Sequence, residues 1–335
     1  MNDTHIIIIA EAGVNHNGNF DMARQMIIEA KKAGADYVKF QTAVPELVIS
    51  TFAPKAEYQK ETTGAGESQL EMCKAIHLPL SDYSRLKAIC DEVGIGFMST
   101  PFDLVSIDCL DDLKMDYWKI PSGEITNLPY LRKIASKGGR VILSTGMSTL
   151  EEVSTAVEIL VAGGIARKDI ILLHCTTQYP TPADAVNLRA MDALRAIGCG
   201  GVGYSDHTVG ITIPIAAAAR GARVIEKHFT LDRTLPGPDH RASLEPDELA
   251  AMVSAVRIVE QALGTGVKEV AEAERPNIAV ARKSIVAARD IRAGEVLTEE
   301  NITVKRPGNG ISPMLWDKII GTTASRDYSA DELID

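Results

Sequence analysis

Lys39 and Gln41, Ser205 and His207, and Glu226 and His228 each stand two residues apart inside short apolar runs. Residues i and i+2 of a strand share a face, so each pair presents two polar groups together. Neutral imidazole is a common ligand for divalent transition metals, and His207 and His228 end successive runs. The alternative for this pair is hydrogen bonding alone. Lys39 and Lys119 interrupt apolar strands, where lysine is rarely buried without a partner. A salt bridge to Glu11, Glu124 or Glu226 would satisfy them. So would an anion, clamped with the hydroxyls of Thr100, Ser122 and Ser144; the recurrence of hydroxyls beside the lysines favours this clamp. Ser144-Thr145-Gly146, just before a helix start, adds backbone donors for a phosphate. Schiff-base chemistry by a deprotonated lysine is the third option. Cys175 follows His174 directly, so the two side chains face opposite ways and Cys175 reads as a core thiol. His16, His77 and His240 read as loop histidines, exposed by default.

The elements that must position these groups alternate in texture up to about residue 265. Apolar β-rich runs occur at Ile6–Glu11, Tyr37–Gln41, Ile95–Thr100, Tyr117–Pro121, Val141–Thr145, Ile170–Cys175, Gly201–His207 and Val224–His228. Amphipathic helical stretches such as Asp21–Ala33, Ser81–Glu92, Leu150–Leu160, Leu188–Ile197 and Ile211–Arg220 lie between them. Repeated strand–helix units imply a parallel sheet, and eight of them predict a (β/α)8 TIM barrel. An open doubly wound sheet would carry GxGxxG after its first strand, and none occurs here. In a barrel the active site is built at the C-terminal strand ends. Those ends carry Glu11, Lys39 with Gln41, Thr100, Lys119 with Ser122 and Glu124, Ser144, His174, Ser205 with His207, and Glu226 with His228. The connection from Thr42 to Pro79 is long, contains Gly64-Ala65-Gly66 and a helical patch near Glu67–Ala75, and reads as functional. After residue 265 the texture changes. An acidic helical linker at Glu269–Glu274 leads to strands at Arg282–Ala287 and Ile302–Pro307 and a short helix near Pro313–Ile319. A tail this small is expected to dock on another surface.

The 335 residues are 45% hydrophobic and 24% charged, which excludes bulk disorder. A net charge of -10 argues against a general nucleic-acid binder. The N-terminal apolar run Ile6–Ala10 is too short for a membrane span and lacks signal-peptide features. Five widely spaced cysteines without CxxC point to a reducing, cytoplasmic setting rather than a disulfide framework.

Several blocks together resemble the sialic acid synthase family. They are Glu11-Ala12-Gly13-Val14-Asn15-His16-Asn17-Gly18, Val38-Lys39-Phe40-Gln41, Ser99-Thr100-Pro101-Phe102-Asp103 and Lys119-Ile120-Pro121-Ser122-Gly123-Glu124. Ser144-Thr145-Gly146-Met147, Tyr204-Ser205-Asp206-His207-Thr208, Glu226-Lys227-His228-Phe229-Thr230 and Gly237-Pro238-Asp239 continue the likeness. The tail, with Lys305-Arg306-Pro307-Gly308-Asn309-Gly310, resembles the antifreeze-like SAF domain. The resemblance divides the chain into a TIM-barrel catalytic domain at 1–265, a linker at 266–277 and a small, mostly β SAF domain at 278–335.

The resemblance implies condensation of phosphoenolpyruvate with an N-acetylated hexose aldehyde, giving a 2-keto acid and phosphate. It implies a divalent cation, Mn2+ or Mg2+, at His207 and His228. Lys39, Lys119, Thr100, Ser122, Ser144 and Ser205 match phosphoenolpyruvate-binding positions, and Glu11 matches the carboxylate that positions the water or transfers its proton. Gln41, Glu124, Tyr179 and Asp239 match sugar contacts. Arg306 matches a tail arginine that reaches the acetamido group in the partner subunit of a domain-swapped homodimer. The family has an N-acetylneuraminate branch, using N-acetylmannosamine, and an N,N'-diacetyllegionaminate branch, using 2,4-diacetamido-2,4,6-trideoxymannose. The sequence is placed first in the N-acetylneuraminate branch. A Schiff-base aldolase and a carbohydrate-binding protein without turnover are the competing classes.

Overall fold

The computed structural model describes residues 5–55, 66 and 68–335. The chain separates into two compact units, Met1–Gly264 and Thr265–Asp335.

The first unit holds eight parallel strands: β1 (Ile7–Gly13), β2 (Tyr37–Thr42), β3 (Gly96–Pro101), β4 (Tyr117–Ile120), β5 (Arg140–Ser144), β6 (Ile170–His174), β7 (Gly201–Asp206) and β8 (Val224–His228). Their ladder runs β3-β2-β1-β8-β7-β6-β5-β4, and its two ends, β3 and β4, pack side by side. This is the expected TIM-type barrel. Alternation along each strand sorts the apolar residues into two cores. Ile9, Met98, Ile142, Ile171, Leu173 and Val224 fill the interior. Residues of opposite parity, such as Ile8, Val38, Leu143 and Leu172, pack against the surrounding helices.

Local chemistry sets the elements. Helix Phe20–Lys32 starts where the Asn19 side chain accepts from the Met22 amide. Helix Leu150–Ala162 starts at a Thr149–Glu152 capping box. Gly13, at φ 54°, ends β1 in a register shift that folds the chain over Glu11; a Cβ here would lie 3.2 Å from Glu11 Oε1. Gly203 points into the barrel beneath Ser205, and a Cβ there would meet the Val224 carbonyl oxygen at 2.4 Å and Leu173 Cδ2 at 2.7 Å. Gly203→Ala is therefore expected to destabilise the barrel by about 1–3 kcal/mol, the usual cost of overpacking, and urea unfolding would measure it.

Helix Gln69–Ile76 occupies the long connection where a helical patch was expected. Gly64, Ala65 and Glu67 lie outside the described residues. The second unit has its own small core of Ile285, Ala287, Ile291, Leu297, Ile302 and Tyr328 under the antiparallel pair β9 (Ser284–Ala287) and β10 (Ile302–Lys305). The acidic linker departs from expectation: only Glu272–Glu274 forms a 3-10 turn, and the helix spans Arg275–Ala281. Pro276 explains this, because proline is tolerated in a first helical turn and not in an interior. No described helix is long and apolar enough to cross a membrane.

Candidate active site

A cavity of about 280 Å³ opens at the C-terminal ends of the barrel strands. Glu11, Lys39, Gln41, Thr100, Lys119 and Ser122 line it from β1 to the turn after β4. Ser144, Tyr179, Ser205, His207, His228 and Asp239 complete the far side. Helix Gln69–Ile76 contributes Met72 and Cys73 to its wall, with His77 at that helix's C-cap.

At the bottom lie four buried charges. Lys39 Nζ is 2.7 Å from Glu11 Oε2 and 3.7 Å from Glu226 Oε2. Lys119 Nζ is 3.5 Å from Glu226 Oε1. The salt-bridge reading of the lysines holds for Glu11 and Glu226. Lys39 donates to Thr100 Oγ1 at 2.9 Å and Lys119 to Ser144 Oγ at 2.8 Å. Those hydroxyls accept from ammonium groups, so their own protons are free for an anion. Ser122 Oγ accepts from the Gly146 amide at 3.0 Å, and Ser205 Oγ donates to Glu226 at 3.0 Å.

Burial and pairing divide the charges. Burial raises the pKa of Glu11, helped by Glu226 and opposed by Lys39. Burial also pushes against the Glu226 carboxylate, but Lys119 and Lys39 outweigh it and its pKa falls. Burial disfavours the Lys39 ammonium, yet Glu11 and Glu226 hold its pKa above the ordinary value. Lys119 falls below its ordinary value through burial, with Glu226 opposing. The sequence reads Glu226 as the same-face neighbour of His228 and as a salt-bridge partner, and gives it no role among the site residues. Its same-face relation to His228 is the available signal, but its place between both lysines, which stand on β2 and β4, needs the closed barrel.

His207 and His228 are buried with ring centroids 5.4 Å apart. The Tyr179 ring lies 4.1 Å from the first and 5.5 Å from the second. His207 Nδ1 is 2.6 Å from the Thr176 carbonyl, which can only accept. Nδ1 therefore carries the proton and Nε2 keeps its lone pair. His228 Nδ1 is buried without a hydrogen-bond partner among the described residues, 3.8 Å from Asp239 Oδ2. Burial lowers the His207 pKa to about 4 and that of His228 well below normal, so both imidazoles are neutral at pH 7. Burial and the Glu11 charge push Asp239 up to about 7. Two neutral imidazoles, one anchored through its other nitrogen to a carbonyl and one with an orphaned nitrogen, fit a divalent cation. Among the described residues no group of three or more His, Cys, Asp or Glu is so arranged, so remaining ligands would come from water or substrate.

Some expected residues are placed elsewhere. Glu124 sits on the turn after β4, is not among the cavity-lining residues, and accepts from Asn127 Nδ2 at 2.6 Å. Arg306 stands in the second unit, as the tail arginine was expected to, and its Nε donates to the Ala281 carbonyl. His174 ends β6 facing outward, with Nε2 2.7 Å from the Val186 carbonyl. Cys175 consequently faces inward, its Sγ 3.2 Å from Ser122 Oγ, rather than joining the outer core. His16 and His240 are buried, not exposed. His16 Nδ1 accepts from the Gly18 amide, and His240 Nδ1 lies 2.8 Å from Thr230 Oγ1.

Residues 26–268 match the NeuB family and residues 282–335 the SAF domain. The chain belongs to the NeuB family. It is an enzyme of the nonulosonate-synthase class, as the sequence resemblance implied. It is similar to the N,N'-diacetyllegionaminic acid synthase of Campylobacter jejuni, 50% identical over 98% of each chain. It is also similar to the synthase of the same name from Legionella pneumophila, 45% identical over 96% of this chain and 91% of that one. A solved structure, that of the N-acetylneuraminic acid (sialic acid) synthetase of Leptospira borgpetersenii, is 35% identical with a TM-score of 0.71, covering 82% of this chain and 90% of that one.

Proposed function

We propose that this enzyme condenses phosphoenolpyruvate with 2,4-diacetamido-2,4,6-trideoxymannose to give N,N'-diacetyllegionaminate and phosphate. Similarity at 50% and 45% identity to two synthases of that acid carries the choice of sugar. It favours the legionaminate branch over N-acetylmannosamine, which the sequence placed first.

The paired lysines and the free hydroxyl protons of Thr100 and Ser144 suit a ligand with a phosphate and a carboxylate. Held there, phosphoenolpyruvate directs C3 at the sugar aldehyde carbon; the C–C bond forms as the C=O π pair moves to the aldehyde oxygen, which takes up a proton to become a hydroxyl. Water adds at C2, and the tetrahedral centre expels phosphate by C–O cleavage. The added water must lose a proton. Glu11, whose raised pKa improves its match to a general base at neutral pH, is the group assigned to receive it. A Mn2+ or Mg2+ ion held by His207 and His228 would supply Lewis-acid polarisation of the aldehyde oxygen. Gln41, Tyr179 and Asp239 are assigned to the sugar. Arg306 is assigned to the acetamido group of a sugar in the partner subunit of a domain-swapped homodimer.

Phosphate release from phosphoenolpyruvate with Mn2+, run in parallel on the two sugars, decides the substrate. Higher kcat/KM for the diacetamido sugar, by 10-fold or more as an order of magnitude, is expected. Higher kcat/KM for N-acetylmannosamine would make this an N-acetylneuraminate synthase.

A further inference from the structure

Asp206 and Lys227 are register partners on β7 and β8, each one residue before a site histidine. Both side chains are 0% exposed, and they lie on the outer face of the barrel, away from the cavity. Lys227 Nζ donates to Asp206 Oδ2 at 2.6 Å and also to the Thr208 carbonyl. Asp206 in turn accepts from the Thr208 amide at 3.1 Å and from its hydroxyl at 3.0 Å. His207 is thus bracketed by two residues tied to each other and to β8. Its backbone oxygen accepts from the Thr181 amide at 2.8 Å. The His228 backbone oxygen accepts from the Leu244 amide at 2.9 Å.

A buried ion pair is a poor source of stability, because the desolvation of both charges offsets much of their attraction, and an apolar pair of equal volume could fill the same space. What it adds is direction: four hydrogen bonds tie Asp206, Thr208 and Lys227 together on either side of His207, one of them made by the Thr208 amide in the peptide unit that follows His207, while Lys227 directly precedes His228 on the neighbouring strand. We propose that Asp206 and Lys227 are positioning residues, a strut on the outer face that sets the His207–His228 geometry and thereby the affinity for the divalent cation. Neither touches the cation or the substrate. The proposal rests on the assignment of the cation to His207 and His228.

The test measures Mn2+ affinity by the electron paramagnetic resonance signal of free Mn2+, with circular dichroism and Tm on the same samples. The variants are Lys227→Met, Asp206→Asn and the double variant, in the full chain. Each single variant is expected to raise the Mn2+ Kd about 10–100-fold, the usual effect of removing support behind a ligand. The double variant, which leaves no uncompensated charge, is expected to regain Tm while its Mn2+ Kd stays raised. Excess Mn2+ should restore kcat, which a general loss of structure would not allow. Thr208→Val removes one hydroxyl donor and no charge, so it serves where a charge variant fails to fold, with a Kd rise of about 2–10-fold. A folded double variant with wild-type Mn2+ affinity overturns the proposal and leaves the cation site standing. Wild-type enzyme that binds no Mn2+ removes both.

Discussion

His207→Ala and His228→Ala are each expected to lower kcat/KM by on the order of 10³-fold, with the fold retained. The two rings are neutral and buried, and one nitrogen, His228 Nδ1, has no hydrogen-bond partner among the described residues. A buried polar atom left unpaired is costly, and a cation held by these rings would offset that cost. Removing either ring leaves one imidazole, and one such ligand with water holds a cation weakly. Exhaustive chelation of the wild type should reproduce the variants, and added Mn2+ should rescue the wild type alone. Undiminished activity after chelation would remove the cation from the reaction. The Schiff-base alternative would then return, and borohydride trapping with mass spectrometry of Lys39 and Lys119 would examine it.

Glu11→Gln is expected to lower kcat by about 10²–10⁴-fold, the range for losing a positioned acid or base. The sign of its effect on binding separates this from a loss of substrate affinity. Glu11, Glu226, Lys39 and Lys119 carry no net charge when all are ionised. Replacing Glu11 with an isosteric amide leaves a net positive cluster, so the KM for phosphoenolpyruvate should hold or fall while kcat collapses. Gln41 Nε2 now donates to Glu11 Oε1 at 3.0 Å, and the amide oxygen of a glutamine can accept that bond. A variant whose KM for phosphoenolpyruvate rises steeply with kcat intact would reassign Glu11 to substrate binding. The same reasoning predicts a larger structural penalty for Lys39→Met, which leaves Glu11 buried beside Glu226 without its cation; about 3–5 kcal/mol is typical of breaking a buried pair. For that reason Glu11→Gln is the cleaner probe of chemistry.

Much of this molecule was legible in the residues. Eight apolar runs at strand length, each followed by a helical period, determined the barrel. The i, i+2 pairs Lys39/Gln41, Ser205/His207 and Glu226/His228 determined which groups act together, because strand alternation is fixed by backbone geometry. Alternation states which residues share a face, and not which face turns inward. That choice is made by residues far away in sequence: Ile9, Leu173 and Val224 fill the interior and so send His174 out and Cys175 in. Burial was equally hidden. His16 and His240 lie in loops by local signals, yet the packing of those loops covers them. Closure of the barrel put Glu226 between two lysines, and cross-strand register put Asp206 against Lys227. The sequence by itself determined the strand ends and their chemistry. The tertiary structure alone decided which charges meet, because distances of a few ångströms between strands depend on how the whole barrel packs and closes.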